Sequence, residues 1–224
     1  MKNQKLKISV IVTCHNLEEY IEQTIQSLFD QLRPADEIIL VHDDCEKPKA
    51  FARVKILMLD KNVGVAKARD MGVKLCSGDY ILFLDADDVL PITYLSEMEK
   101  IIIAERADVI YPNSYLWSSW NFSGLKNEFH GAPNSIKLRD MLEANAVICP
   151  SLIRKEVYDK YGPMDSSLPL FEDWDFFLKL LVNKCSFVKA DTYLMYRQRT
   201  TSRNHIYKGK ERSQIFYQIR SRYE

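Results

Sequence analysis

Residues Lys7 to Cys14, KISVIVTC, are a β-branched apolar run of strand length. The next apolar positions, Ile21, Ile25, Leu28, Phe29 and Leu32, recur at helical spacing and stop before Pro34, so the chain is expected to open with a strand–helix unit. The pattern repeats. DEIILVHDD and VKILMLD are short apolar runs ending in acids, and Val63 to Gly78 carries small and basic residues suited to a helix with a glycine stop. YILFLDADD reads as a fourth strand, ITYLSEMEKIIIAE as a helix starting just after Pro91, and ADVIYP as a fifth strand. Strands that are apolar through their middles and alternate with helices imply an α/β fold: a Rossmann-like sandwich whose mostly parallel central sheet has helices on both faces.

Polar groups gather where strands end: Thr13 to Asn16, His42 to Asp44, and Asp85 to Asp88. Parallel neighbouring strands would bring these clusters to one crevice, because ligands of such sheets bind beyond the carboxyl ends of the strands. Each cluster alone reads equally as a solvated turn or a cap, and Asp88 as a cap for the helix after Pro91. The stretch YILFLDADDVLP presses the question further. Three acids in four positions at the end of an apolar strand repel one another and lose solvation, so a cationic group should offset them. Two carboxylates at i and i+2 suit Mg²⁺ or Mn²⁺, which bind one or two protein carboxylates and complete their shell with water and substrate phosphates.

Composition narrows the class. A chain of 224 residues, 46% hydrophobic and 28% charged, is long enough for one sizeable core and is expected to form a single domain. Its 31 basic and 31 acidic residues cancel, leaving no global field for nucleic acid. Cys14, Cys45, Cys76, Cys149 and Cys185 are scattered and contain no C-x-x-C pair. They read as reduced thiols of a cytoplasmic protein, not as a disulfide frame or zinc site. The apolar run at the start is too short for a signal peptide or a spanning helix.

Taken together, SVIVTCHNLEEYIEQTIQSLFDQ, DEIILVHDD, KNVGVAKARDMGVKLCSGDYILFLDADD and FEDWDFFLKL resemble, in order and spacing, the inverting nucleotide-sugar glycosyltransferases of the large family 2-like group with the GT-A fold. The resemblance runs from about Lys7 to about Ser202 and is most specific from Asn62 to Asp88. It implies a nucleotide-binding half over about 7–112, an acceptor and catalytic half over about 113–202, and a C-terminal helix over about 207–224. It also implies a nucleotide-sugar donor, by family habit a UDP-sugar, held by Thr13, His15, Asn16, Asp43, Asp44, Asn62, Arg69, Asp85 and Asp88. An Asp carboxylate can accept the ring N–H of uracil. Where the family usually follows the two acids with glycine and serine, this chain has Cys45 and Glu46. Asp85 and Asp87 match the D-x-D motif for Mn²⁺ or Mg²⁺, with Asp87 the direct ligand.

In FEDWDFFLKLLVN, Trp174, Phe177, Leu178 and Leu181 form one helical stripe behind Glu172 and Asp173. Acids in a first turn complement the helix dipole without any chemistry. The resemblance instead implies that Asp173 is the catalytic base, with Glu172 as its neighbour or an acceptor contact. After it, YLMYRQRTTSRN resembles the segment that returns a basic residue to the diphosphate, with Arg199 standing where the family often has histidine. The implied reaction is a direct displacement with inversion onto a hydroxyl of a glycan, lipid-linked or protein acceptor. A silent sugar- or nucleotide-binding module and a nucleotidylyltransferase are the competing classes; the latter would be expected to carry a glycine-rich phosphate loop after the first strand, and TCHNLEEY has none.

Two segments carry open readings. Aromatic residues between Ser114 and Asn134 suit sugar stacking or a lipid-linked acceptor, and equally a small local core. The tail, with Ile215, Phe216 and Ile219 at helical spacing in basic surroundings, suits either a docked helix or peripheral association with the inner membrane surface.

Overall fold

The structure is a computed structural model that describes residues 6–118, 128–198 and 209–224, with the side chains of 114–118, 128–130 and 196–198 left aside. Its elements are β1 (Ile8–Cys14), α1 (Ile21–Phe29), β2 (Glu37–Asp43), β3 (Lys55–Leu59), α2 (Val65–Val73), β4 (Tyr80–Asp85), α3 (Tyr94–Glu105), β5 (Val109–Ser118), β6 (Glu128–His130), α4 (Leu138–Glu143), β7 (Leu152–Arg154), α5 (Lys155–Tyr161), α6 (Glu172–Val182), β8 (Phe187–Gln198) and α7 (Gly209–Arg220). The strands form one sheet in the order β3-β2-β1-β4-β7-β5-β6, with β8 pairing β5.

The first four strands pair in parallel, as their apolar middles imply. The fifth strand of the sequence pattern, β5, does not lie directly beside β4. The three-residue β7 lies between β4 and β5 and runs antiparallel to both. It is too short to leave an alternating signature. Strand β8 runs parallel to β5 along its whole length. β6, β7, β8, α4 and α5 were not anticipated from the pattern.

Alternation along the strands sorts side chains onto two faces. Ile8, Val10, Val12 and Cys14 of β1 join Ile38 and Leu40 of β2 and Leu82 and Leu84 of β4 under α1 and α3. Ile11, Ile39, Val41, Ile81 and Phe83 pack on the other face with residues of α2, α5, α6 and α7. Helix α2 reaches its strand closely: a Cβ at Gly72 would stand 2.5 Å from Ile11 Cγ2, so only glycine fits.

The C-terminal helix is docked. Ile215 and Ile219 are buried, and Phe216 stacks on Trp174 with ring centroids 4.4 Å apart and planes at 11°. Arg222 bridges Asp165 and Asp175 at 3.0 and 2.9 Å. The apolar face of α7 is thus spent on α6. Among the described residues no helix is long and apolar enough to cross a membrane.

Candidate active site

Three adjacent parallel strands, β2, β1 and β4, deliver their polar ends to one edge of the sheet. The register pairs Thr13 with Val41 and with Asp85, and the alternation that buries Val41 and Phe83 toward α2 turns Asp43, Thr13 and Asp85 to the same side. Thr13 Oγ1 lies 3.4 Å from Asp85 Oδ1. His42, grouped with Asp43 in the sequence, faces the opposite side for the same reason.

The Asp85–Asp88 turn is anchored from several directions. Ala86 N–H donates to Thr13 O at 3.1 Å and Asp88 N–H to Asp85 O at 3.1 Å. Thr24 Oγ1 donates to Ala86 O at 2.7 Å, Leu90 N–H to Ser27 Oγ at 3.2 Å, and Gln31 Nε2 to Pro91 O at 2.7 Å. These supports, two on α1 and one just past it, were missed in the sequence. Their signal was available: Thr24 and Ser27 stand at i and i+3 on the inward face of that helix, polar where apolar residues would be expected, and Gln31 follows just past its end. Asp88 is buried, and the N-cap position of α3 falls to Thr93, five residues further on.

Asp43 has a structural task. Its two carboxylate oxygens accept the N–H groups of Val63 at 2.7 Å and Gly64 at 3.0 Å, fixing the entrance to α2. Gly64 takes φ +84° there, a value that favours glycine. Asn62 Oδ1 accepts the same Gly64 N–H at 3.0 Å, so its amide nitrogen, 2.9 Å from His15 Nε2, is the donor. His15 Nε2 is therefore the acceptor and Nδ1 carries the proton, donating to Asp43 O. Asn16 Nδ2 also approaches His15 Nε2, at 3.3 Å. Asp44 is exposed at φ 58°. His15, Asn16, Asp43 and Asn62 thus form one hydrogen-bonded wall rather than separate contacts.

Arg69 is the centre of charge. It is 2% exposed; its Nη2 donates to Asp85 Oδ1 at 2.9 Å and its Nη1 to Glu172 Oε1 at 3.2 Å. Burial opposes its charge, but Cys149 and the carboxylates of Asp85, Glu172 and Asp173 outweigh that and hold its pKa well above the ordinary value. The sequence pointed to an arginine beside the nucleotide; the structure also ties it to the acidic pair. Glu172 is buried in that contact, whereas Asp173 is half-buried, with Oδ1 accepting Trp174 N–H at 2.7 Å. Phe171, the residue before the pair, is left-handed at φ 67°. Cys149, given no role from the sequence, lies within electrostatic reach of Arg69, Asp85, Glu172 and Asp173.

The described acids make no closed cage: nowhere do three carboxylates bring ligand atoms within 4.8 Å of one another. An all-oxygen set of one or two acids at a strand end, with Asp85 only partly covered, nevertheless fits Mg²⁺ or Mn²⁺, which draw their other ligands from phosphate and water. Beside this turn, Val89 and Met195 exchange backbone hydrogen bonds at 3.1 and 3.0 Å, bringing the end of β8 to the Asp85–Asp88 loop. Arg199 follows it in sequence but lies outside the described residues, as do Trp120 and Phe122 among the aromatic residues between Ser114 and Asn134.

Comparison with known proteins agrees with this arrangement. The Glycosyl transferase family 2 profile matches residues 9–162. A protein named as a teichuronic acid biosynthesis glycosyltransferase, TuaG of Bacillus subtilis, is 30% identical over 159 residues, covering 66% of this chain and 62% of its own length. The Escherichia coli UDP-Glc:alpha-D-GlcNAc-diphosphoundecaprenol beta-1,3-glucosyltransferase WfaP is 26% identical over 180 residues, covering 77% of this chain and 68% of WfaP. Among solved structures, residues 1–349 of Staphylococcus aureus TarS in complex with UDP-GlcNAc superimpose with a TM-score of 0.71 at 21% identity, over 96% of this chain and 64% of that one, and carry the GT-A fold. The chain thus spans somewhat over three-fifths of the length of TuaG and of that TarS structure. A profile match over most of the chain, on a GT-A sheet with its acids at the strand ends, means that this chain belongs to glycosyl transferase family 2.

Proposed function

We propose that the chain moves a sugar from a nucleoside diphosphate donor, a UDP-sugar, to a hydroxyl group by direct displacement with inversion. The observation that carries this reading is the buried guanidinium of Arg69, which joins Asp85 at the donor edge to Glu172 at the start of α6. It brings the strand-end acids and the Glu172–Asp173 pair into one site. That solved structures of TarS hold UDP and UDP-GlcNAc supports uridine as the base.

Asp87 and Asp85 would hold Mn²⁺ or Mg²⁺ at this site, and the ion would supply Lewis-acid stabilisation of the leaving diphosphate. The remaining work falls to the chain. Asp173, the more accessible acid of its pair, takes the proton of the acceptor hydroxyl. The acceptor oxygen forms its bond to the anomeric carbon as the bond from that carbon to the diphosphate oxygen breaks, and the electron pair leaves with the diphosphate. Glu172 is a positioning residue, held by Arg69. The His15–Asn62–Asp43 wall lies against the nucleoside, and Arg199, outside the described residues, is the basic residue that the family resemblance assigns to the charge of the diphosphate. The hydroxyl that Asp173 serves is that of a glycan or lipid-linked acceptor, and the inner membrane surface is where a lipid-linked one would be met.

A thermal-shift series with UDP, GDP, CDP and dTDP, with and without Mn²⁺, on the wild type and on Asp87→Asn tests the donor site. At about a hundred times its Kd, a ligand adds ~2.7 kcal/mol. UDP should stabilise the wild type only with metal, and the substitution should abolish the shift. Absence of any nucleotide effect would overturn the reading. Release of UDP from UDP-sugars then separates an enzyme from a silent binding module.

A further inference from the structure

The sheet alternation that turns Asp43 and Asp85 toward α2 turns Cys14 and His42 to the opposite face, where they are register partners on β1 and β2. Cys45, just past the end of β2, packs against the same cluster. The two sulfurs and a ring nitrogen of His42 all lie within 4.8 Å of one another, with Cys14 Sγ and Cys45 Sγ 3.6 Å apart. His42 is fully buried. Its Nε2 lies 2.9 Å from Lys49 O and donates to it, which leaves Nδ1 as the unprotonated nitrogen, and that atom is buried with no hydrogen-bond partner.

The geometry points to a binding site for a thiophilic divalent cation of the zinc class at Cys14, Cys45 and His42, separate from the oxygen donors of Asp85 and Asp87. Two sulfurs bound to zinc at about 2.3 Å in a tetrahedron stand about 3.8 Å apart, close to the observed separation. A disulfide needs about 2.05 Å. A ligating histidine commonly donates its other ring N–H to a backbone carbonyl, which fixes the tautomer and aims the lone pair; Lys49 O does this here. Binding replaces the two S–H protons, which pass to solvent, and the two thiolates neutralise the cation, so the buried site gains no net charge. Three protein ligands leave a fourth position open, and the Glu18 carboxylate, which accepts Lys47 N–H at 3.2 Å, stands at the rim near Cys45. A cation there would tie together the exits of β1 and β2, next in sequence to His15 and Asp44.

Reduced, metal-free protein titrated with Co²⁺ should develop a thiolate-to-cobalt charge-transfer band that saturates at one equivalent and is discharged by Zn²⁺. The band should be lost in Cys45→Ser, a half-buried position, and kept in Cys76→Ser and Asp87→Asn. Near-ultraviolet circular dichroism checks that Cys45→Ser is folded; Cys45→Ala serves if it is not. A missing band in the wild type, or one unchanged in the Cys45 variants, overturns the site. So does protein purified without reductant that contains no metal and is lighter by two hydrogens, the signature of a Cys14–Cys45 disulfide.

Discussion

Arg69 Nη1 meets Glu172 Oε1 at 3.2 Å although the two residues are 103 positions apart, and both side chains are almost wholly shielded from water. The contact joins α2, beside the donor edge, to the first turn of α6. Removing one member of a buried pair leaves the other charge uncompensated, at about 3–5 kcal/mol. Arg69→Met should therefore lower unfolding stability by about that amount in urea titration. Arg69→Lys should recover only part, since one ammonium lacks the planar fork that reaches Asp85 and Glu172 together. A change below ~1 kcal/mol for Arg69→Met would show that the pair does not hold the halves of the site.

Asp173 is the more accessible member of its acidic pair, half-buried where Glu172 is buried against Arg69. Asp173→Asn should reduce turnover by about 10²–10⁴-fold, the usual contribution of a positioned base, while the Kd for the nucleotide sugar stays within about twofold. Calorimetric titration beside an initial-rate assay separates the two. Equal loss of binding and turnover would place Asp173 in the donor pocket instead.

Gly72 marks a close approach of α2 to the sheet, where an added Cβ would stand 2.5 Å from Ile11 Cγ2 and 3.2 Å from Val41 Cγ2. Gly72→Ala should cost about 1–3 kcal/mol by overpacking. Because α2 carries Arg69, the same substitution should weaken nucleotide binding. Unfolding and nucleotide titrations on one preparation test both effects.

Glu37 sets the pH dependence at the other end of the sheet. Its carboxylate accepts from Ser9 Oγ at 2.7 Å and Ser77 N–H at 2.9 Å, and pairs with Lys55. Burial pushes its pKa up, but the hydrogen bonds from Lys55, Ser9 and Ser77 outweigh it and bring the value below the ordinary 4.5. A folded pKa below the unfolded one contributes stability that is present above pH 4.5 and lost as pH falls through the folded value. Urea midpoints should decline on acidification below about pH 4.5, and less steeply in Glu37→Gln. Glu18 and Asp165, also lowered, act with the same sign.

The first four strands, α1, α2 and α3 were legible because each carries its own periodicity: β-branched apolar runs for strands, i and i+4 spacing for helices, proline and glycine at the ends. The strand-end acids were legible for the same reason, being polar where an apolar run stops. Strand β7 was not, since three residues hold no period, and its place between β4 and β5 was hidden with it.

What the sequence by itself determined, then, was local: which segments extend or coil, where polar residues gather, and a D-x-D and acidic pair that resemble family 2. Tertiary structure alone decided which polar groups share a face. Asp43 and His42 are adjacent in the chain, yet the pleat sends one to Arg69's side and the other to Cys14 and Cys45. Arg69 and Glu172 are remote in the chain, yet packing of α2 and α6 on one sheet face makes them partners. Pairings of this kind depend on register and burial, which are properties of the assembled sheet and not of any window of residues.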